Sequence, residues 1–143
     1  MEHRRAQKFT SKSGITILEV LVVLSIIALI AAVAGPRLIG YLDRAKTETA
    51  ALQTAQLRQA VQLFYIDVGR YPADGEGLGV LLTAPPGTAD WAGPYLETPD
   101  AIIDPWGRNY IYAAPEDGGD FSVMSFGQDG VRGGTGEDED VGR

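Results

Sequence analysis

The chain has 143 residues, 45% of them hydrophobic and 22% charged, with no cysteine, His3 as its one histidine and a formal net charge of −7. That length holds one small domain. Without cysteine there is no disulfide framework, thiolate metal site or Cys-His pair, and the one histidine, His3, lies in an N-terminal segment expected to be removed, which takes metal–histidine and Ser-His catalysis with it.

The charge is unevenly placed. Of 12 Lys+Arg and 19 Asp+Glu, residues 1–14 hold Arg4, Arg5, Lys8 and Lys12 against Glu2, which leaves a body of net charge −10. A body that acidic argues against nucleic-acid binding, which needs clustered Lys and Arg. From Ile15 to Gly35 the chain is apolar apart from Thr16, Glu19, Ser25 and the closing glycine. As a helix this run reaches roughly 30 Å, the thickness of a bilayer's hydrocarbon core. Basic residues before it and acidic ones after it place the N-terminus in the cytoplasm. Glu19 is a carboxylate inside an apolar span, an expensive placement that marks a functional residue. Two plainer readings stand beside this one. Ala32-Val33-Ala34 resembles the end of a cleaved signal peptide, and the span also suits a simple membrane anchor with Glu19 incidental.

Pro36 has no amide proton and clashes with the preceding turn, so a kink or local unwinding is expected at Ala32–Pro36. The helical pattern resumes at once. Over Arg37–Val68, Leu38, Leu42 and Ala45, then Leu57, Ala60, Val61, Phe64 and Val68, recur at helical spacing and predict one buried stripe. Gly69 reads as the stop. A helix from Ile15 to about Asp67 is roughly 80 Å long.

Residues 72–100 carry five prolines and several glycines, which predicts a loop with a short helix at Leu78–Thr83. Asp104-Pro105-Trp106-Gly107 reads as a tight turn. Arg108–Ala113 and Asp120–Phe126 are rich in β-branched and aromatic residues and predict a hairpin through Pro115–Gly119. Trp91, Trp106, Tyr110 and Tyr112 read as core or turn anchors. The carboxylates Asp117 and Asp120 lie in a polar loop with no sign of a pocket, and no phosphate-cradling glycine motif precedes a helix. Six glycines and five acids crowd Gly127–Arg143. Composition alone suits a solvated acidic tail. Clustered carboxylates on a glycine-rich backbone equally suit calcium, although the EF-hand spacing is missing.

Two stretches resemble known families. Lys12-Ser13-Gly14 followed by Ile15-Thr16-Ile17-Leu18-Glu19-Val20 resembles the class III signal of type IV pilins and pseudopilins. That resemblance implies cleavage between Gly14 and Ile15 by a prepilin peptidase, N-methylation of Ile15, and an assembly role for Glu19. Pro36 also falls at the family's proline position. The fresh amine at Ile15 could face a neighbour's Glu19 and fix register in a helical stack. The run Phe64–Leu78 (F-Y-I-D-V-G-R-Y-P-A-D-G-E-G-L), Trp91, Pro94-Tyr95-Leu96, Asp104–Gly107, Tyr110-x-Tyr112 and Ser125–Gly130 resemble the G-type major pseudopilins of type II secretion.

The resemblance implies an α+β, type IV pilin-like fold divided into a leader (1–14), a transmembrane and filament-core helix (15–36), an amphipathic helix (37–69) and a periplasmic domain (70–143). It also implies a structural calcium site formed by the Phe126 carbonyl, Asp129, and Asp140 or Asp138. The implied role is a non-enzymatic, self-assembling subunit of the periplasmic pseudopilus. Its implied partners are minor pseudopilins, the prepilin peptidase and an inner-membrane assembly platform. Before assembly the subunit would sit in the bacterial inner membrane, N-terminus cytoplasmic. The alternatives are a type IV pilus or competence pilin, and a membrane-tethered calcium-binding module.

Overall fold

A computed structural model describes residues 14–116 and 119–142, with only the backbone of Pro36 and Glu137. The expected leader, apart from Gly14, and Asp117 lie outside the described residues. The chain divides between Ile39 and Gly40 into two units.

Helix α1 runs from Ile17 to Val68. It stays helical through Gly35 and Pro36, so the local unwinding expected there is not seen. Up to Val33 every described residue of it is exposed, including Leu21, Leu24, Ile27 and Ile30. An 18-residue window here has a mean hydropathy of 2.9, enough in length and composition to cross a membrane.

In the second unit α1 changes character. Ala50, Thr54, Leu57, Val61 and Phe64 are buried at alternating spacings of four and three, the signature of one face packed on a core. Leu38, Leu42 and Ala45, expected on that stripe, are exposed. Their periodicity is helical, but the covering loop and strands pack on the helix only from Ala50 onward. Buried Thr54 donates its hydroxyl to the Ala50 carbonyl at 2.6 Å, so its polar atom is satisfied. The helix ends as expected: Gly69 takes φ +79° and donates its amide to the Tyr65 carbonyl at 2.8 Å.

After the helix the chain wraps its stripe. A 3₁₀ turn, Gly77–Leu81, replaces the expected helix at Leu78–Thr83 and buries Leu78, Val80 and Leu81. A second, unanticipated 3₁₀ turn spans Pro99–Ile102. Strands β1 (Ile111–Ala113) and β2 (Ser122–Ser125) pair antiparallel with Tyr112 opposite Val123. Both are shorter than the expected strands. A third strand, β3 (Val141–Gly142), pairs with the other edge of β2, with Ser125 opposite Val141. No strand was expected in the glycine-rich tail.

The core joins Leu57, Ala60, Val61 and Phe64 to Leu78, Val80, Leu81, Tyr110, Phe121 and Val123. Burying each large apolar side chain stabilises the domain by about 1.5–3 kcal/mol. The expected anchors hold its rim. Trp91 Nε1 donates to the Val80 carbonyl at 2.9 Å, and Tyr112 Oη donates to the Pro72 carbonyl at 2.9 Å. Burial raises the Tyr112 phenol to about 12. Arg58 ties helix to sheet: it pairs with Asp120 at 2.8 Å, donates to the Phe121 carbonyl at 3.1 Å and lies 4.6 Å from the centre of the Phe121 ring.

Past the helix end, Arg70 makes a two-pronged bond to Glu76 at 2.7 and 2.9 Å, and the Ala73 amide donates to the same carboxylate. The Arg70 bonds, aided by that amide, hold Glu76 down at about 2, below the 4.5 of a free carboxylate. A lowered folded-state pKa contributes stability that is fully present above pH ~4.5 and disappears as pH falls toward 2. We expect Glu76→Gln to destabilise the protein at pH 7 by up to about 1 kcal/mol, the range of exposed ion pairs. Urea unfolding at pH 7, 4 and 2.5 will show the gap between variant and wild type closing as pH falls.

Candidate functional site

Two regions carry the residues singled out in the sequence: the start of α1 and the acidic loop before β3. Each is described separately.

Gly14 and Ile15 precede the helix, and both are exposed. Thr16 caps it, accepting the Glu19 amide on its side-chain oxygen at 3.2 Å. Thr16-x-x-Glu19 has the spacing of a capping box, a signal readable in the sequence and overlooked there. Glu19 therefore sits in the first turn, where the partial positive charge of the helix end favours a carboxylate. Pro36 lies inside the helix, 17 residues further on.

The acidic loop is folded. The Gly130 amide donates to the Phe126 carbonyl at 3.0 Å, which closes a turn over 126–130. Asp129 Oδ1 accepts the Val131 amide at 2.9 Å, and Asp140 accepts the Gly133 amide on both oxygens at 3.0 and 3.1 Å. The two carboxylates thus bond amides two residues apart, which draws them onto one short stretch. Asp138 is exposed, and its main-chain carbonyl packs against Gly127 and Gly134. Both glycines have positive φ, and a Cβ at Gly127 would meet Asp138 and Glu139 backbone at 2.8 Å, so only glycine fits.

The donors suit a hard cation, because all are oxygens: the Phe126 carbonyl and the Asp129 and Asp140 carboxylates. Among the described residues no three carboxylates gather closely enough to hold a metal. A cation here would therefore lean on two carboxylates and main-chain carbonyls.

Behind the loop lies a buried carboxylate. Asp104 Oδ1 accepts the Trp106 amide at 3.0 Å and the Arg108 amide at 2.8 Å, which forms the expected tight turn. Its Oδ2 accepts the Ser125 hydroxyl at 2.6 Å and lies 3.7 Å from Arg108 Nε. The Arg108 guanidinium then donates to the carbonyls of Gly127 and of Gln128, the latter at 3.2 Å. The turn was legible from its residue types. Its bond to Ser125, 21 residues away, was not.

The fold and these residues agree with known proteins. The model of the family described as type II secretion system (T2SS), protein G, matches residues 37–143. The chain belongs to this family. A type II secretion system core protein G of Xanthomonas campestris is 34% identical over 137 residues, covering 96% of this chain and 93% of the relative. That of Vibrio cholerae is 33% identical over 139 residues, covering 95% and 94%. The crystal structure of the major pseudopilin from the type 2 secretion system of enterohaemorrhagic Escherichia coli superposes with a TM-score of 0.57 at 28% identity. It covers 73% of this chain and 87% of that one.

The chain is accordingly a pilin-like major pseudopilin, a structural subunit of a type II secretion system that assembles into a pseudopilus with other secretion components. Its apolar N-terminal helix is consistent with inner-membrane anchoring. The Asp104 network gives a test of the fold around the loop. Removing a buried carboxylate that satisfies two amides and a hydroxyl leaves all three unpaired. Asp104→Ala is expected to destabilise the protein by about 3 kcal/mol, read as a lowered urea midpoint, with Asp104→Asn intermediate.

Proposed function

We propose that this subunit is made as an inner-membrane precursor, cut between Gly14 and Ile15 by a prepilin peptidase and methylated at Ile15. The observation that carries the reading is the apolar first half of α1, exposed along its length, with one carboxylate in its first turn. Such a surface is stable in lipid or packed among copies of itself, and not in water. Assembly is then a transfer of this helix from bilayer to helical stack. The Ile15 amine of one copy meets Glu19 of the next, and opposite charges that approach in a low-dielectric core offset part of each other's burial. The acidic domain faces the periplasm, with the N-terminus cytoplasmic. Growth of the filament on its inner-membrane platform, initiated by minor pseudopilins, pushes folded proteins through the outer membrane. The subunit supplies architecture and no catalysis.

The loop's oxygen donors support a structural calcium ion held by the Phe126 carbonyl, Asp129 and Asp140, with Asp138 as the other acidic candidate. Bound calcium would neutralise crowded carboxylates and fix the loop beside β3.

Intact mass and N-terminal sequencing of the protein from secreting cells test the processing. Methylated Ile15 is expected; Met1 or Gly35 as the first residue would refute it. Glu19→Ala is expected to leave the membrane level of the subunit unchanged while abolishing disulfide capture between copies carrying paired cysteines. Unchanged capture would remove Glu19 from assembly. Calcium titration of the full chain in detergent is expected to show one site, weakened about tenfold or more by Asp129→Ala or Asp140→Ala and little by Asp138→Ala. Heat of binding absent from the wild type would end the calcium reading.

A further inference from the structure

The acidic loop holds a cation of its own. The Arg108 guanidinium donates one arm to the Gly127 carbonyl and another to the Gln128 carbonyl at 3.2 Å. It fills the inside of the 126–130 turn so closely that a Cβ on Gly130 would sit 3.0 Å from Nη1. The guanidinium is itself held from behind. Its Nε lies 3.7 Å from Asp104 Oδ2, and Asp104 is fixed by the Trp106 and Arg108 amides and the Ser125 hydroxyl. Arg108 therefore links the turn before β1, the end of β2 and the first turn of the loop. The arm is anchored at its root as well as at its tip, so ordering it forfeits less freedom than fixing a loose surface arginine.

From this geometry we infer that Arg108 is a positioning residue. It holds residues 126–130 in their folded turn without any bound metal, and so presents the Phe126 carbonyl and Asp129 ready-made. The part concerning metal rests on the calcium reading above; the part concerning the turn does not. A planar fork with fixed donors can grip two successive carbonyls, whereas a lysine ammonium is a point charge on a flexible stem. Geometry as well as charge is required.

The experiment is hydrogen exchange by mass spectrometry on the full chain in detergent with EGTA, following peptides across 126–132, for wild type, Arg108→Ala, Arg108→Gln and Arg108→Lys. The half-exposed Arg108 side chain lies outside the apolar core, and the urea midpoint of each variant reports whether the core is intact. Expected is exchange of the Gly130 region about tenfold faster or more in Arg108→Ala and Arg108→Lys than in wild type, the scale of one lost hydrogen-bonded contact. Arg108→Gln, with two donors on one nitrogen, should fall between. Exchange in peptides over Leu57–Phe64 should not change. Calcium titrated into the same samples should bind about tenfold more weakly to Arg108→Ala, because binding must then order the turn.

Wild-type exchange at 126–132 as fast as in Arg108→Ala would overturn the inference, and so would full protection in Arg108→Lys. Should no sample bind calcium, the metal reading fails alone, and the exchange result still decides the role of Arg108.

Discussion

The structure depends on a single helix that must satisfy two surroundings in succession. Up to Val33, Glu19 and Ser25 apart, α1 is apolar on every side, a surface suited to lipid or to other helices. From Ala50 it becomes one-sided, and the stripe ending at Phe64 is the wall against which everything after Gly69 is built. Among the described residues the domain adds to it no second α-helix, only 3₁₀ turns and short strands, so it has no core without that stripe. The same helix that carries the apolar span is also the structural foundation of the folded domain.

Polar groups do the second share of the organising, and they do it where the backbone turns. Asp104 closes one turn and reaches β2 through Ser125, while Arg108 carries the connection into the acidic loop. Arg58 fastens the sheet to the helix from the other side through Asp120 and Phe121. With strands of two to four residues, ladder bonds are few, and side-chain bonds to main-chain carbonyls take over much of the work of holding the sheet in place.

Features with a local cause were readable in the residues. The apolar span follows from composition, the Gly69 stop from a glycine that tolerates positive φ, and the Asp104 turn from Asp-Pro-x-Gly chemistry. The family itself was legible through the Gly14–Glu19 signal and the run from Phe64 to Leu78. What escaped was set by partners distant in the chain. Leu38, Leu42 and Ala45 have the right spacing for a buried stripe, and periodicity cannot tell that nothing in the subunit covers them. β3 escaped because glycines and acids dominate its surroundings. One buried valine, Val141, opposite Ser125 marks it. In the candidate calcium loop the acidic residues stood out at once. The guanidinium that grips the loop backbone did not, since Arg108 belongs to the segment before β1.

The bond between Arg58 and Asp120 spans 62 positions of sequence. During synthesis or threading, the helix therefore emerges with Leu57, Val61 and Phe64 bare, long before Phe121 and Val123 arrive to cover them. Helices nucleate locally and quickly, whereas contacts closed over so long a loop come late. Each newborn subunit passes through an interval in which a sticky flank awaits its lid. In that interval the bare apolar flank is the surface through which unfinished chains would clump.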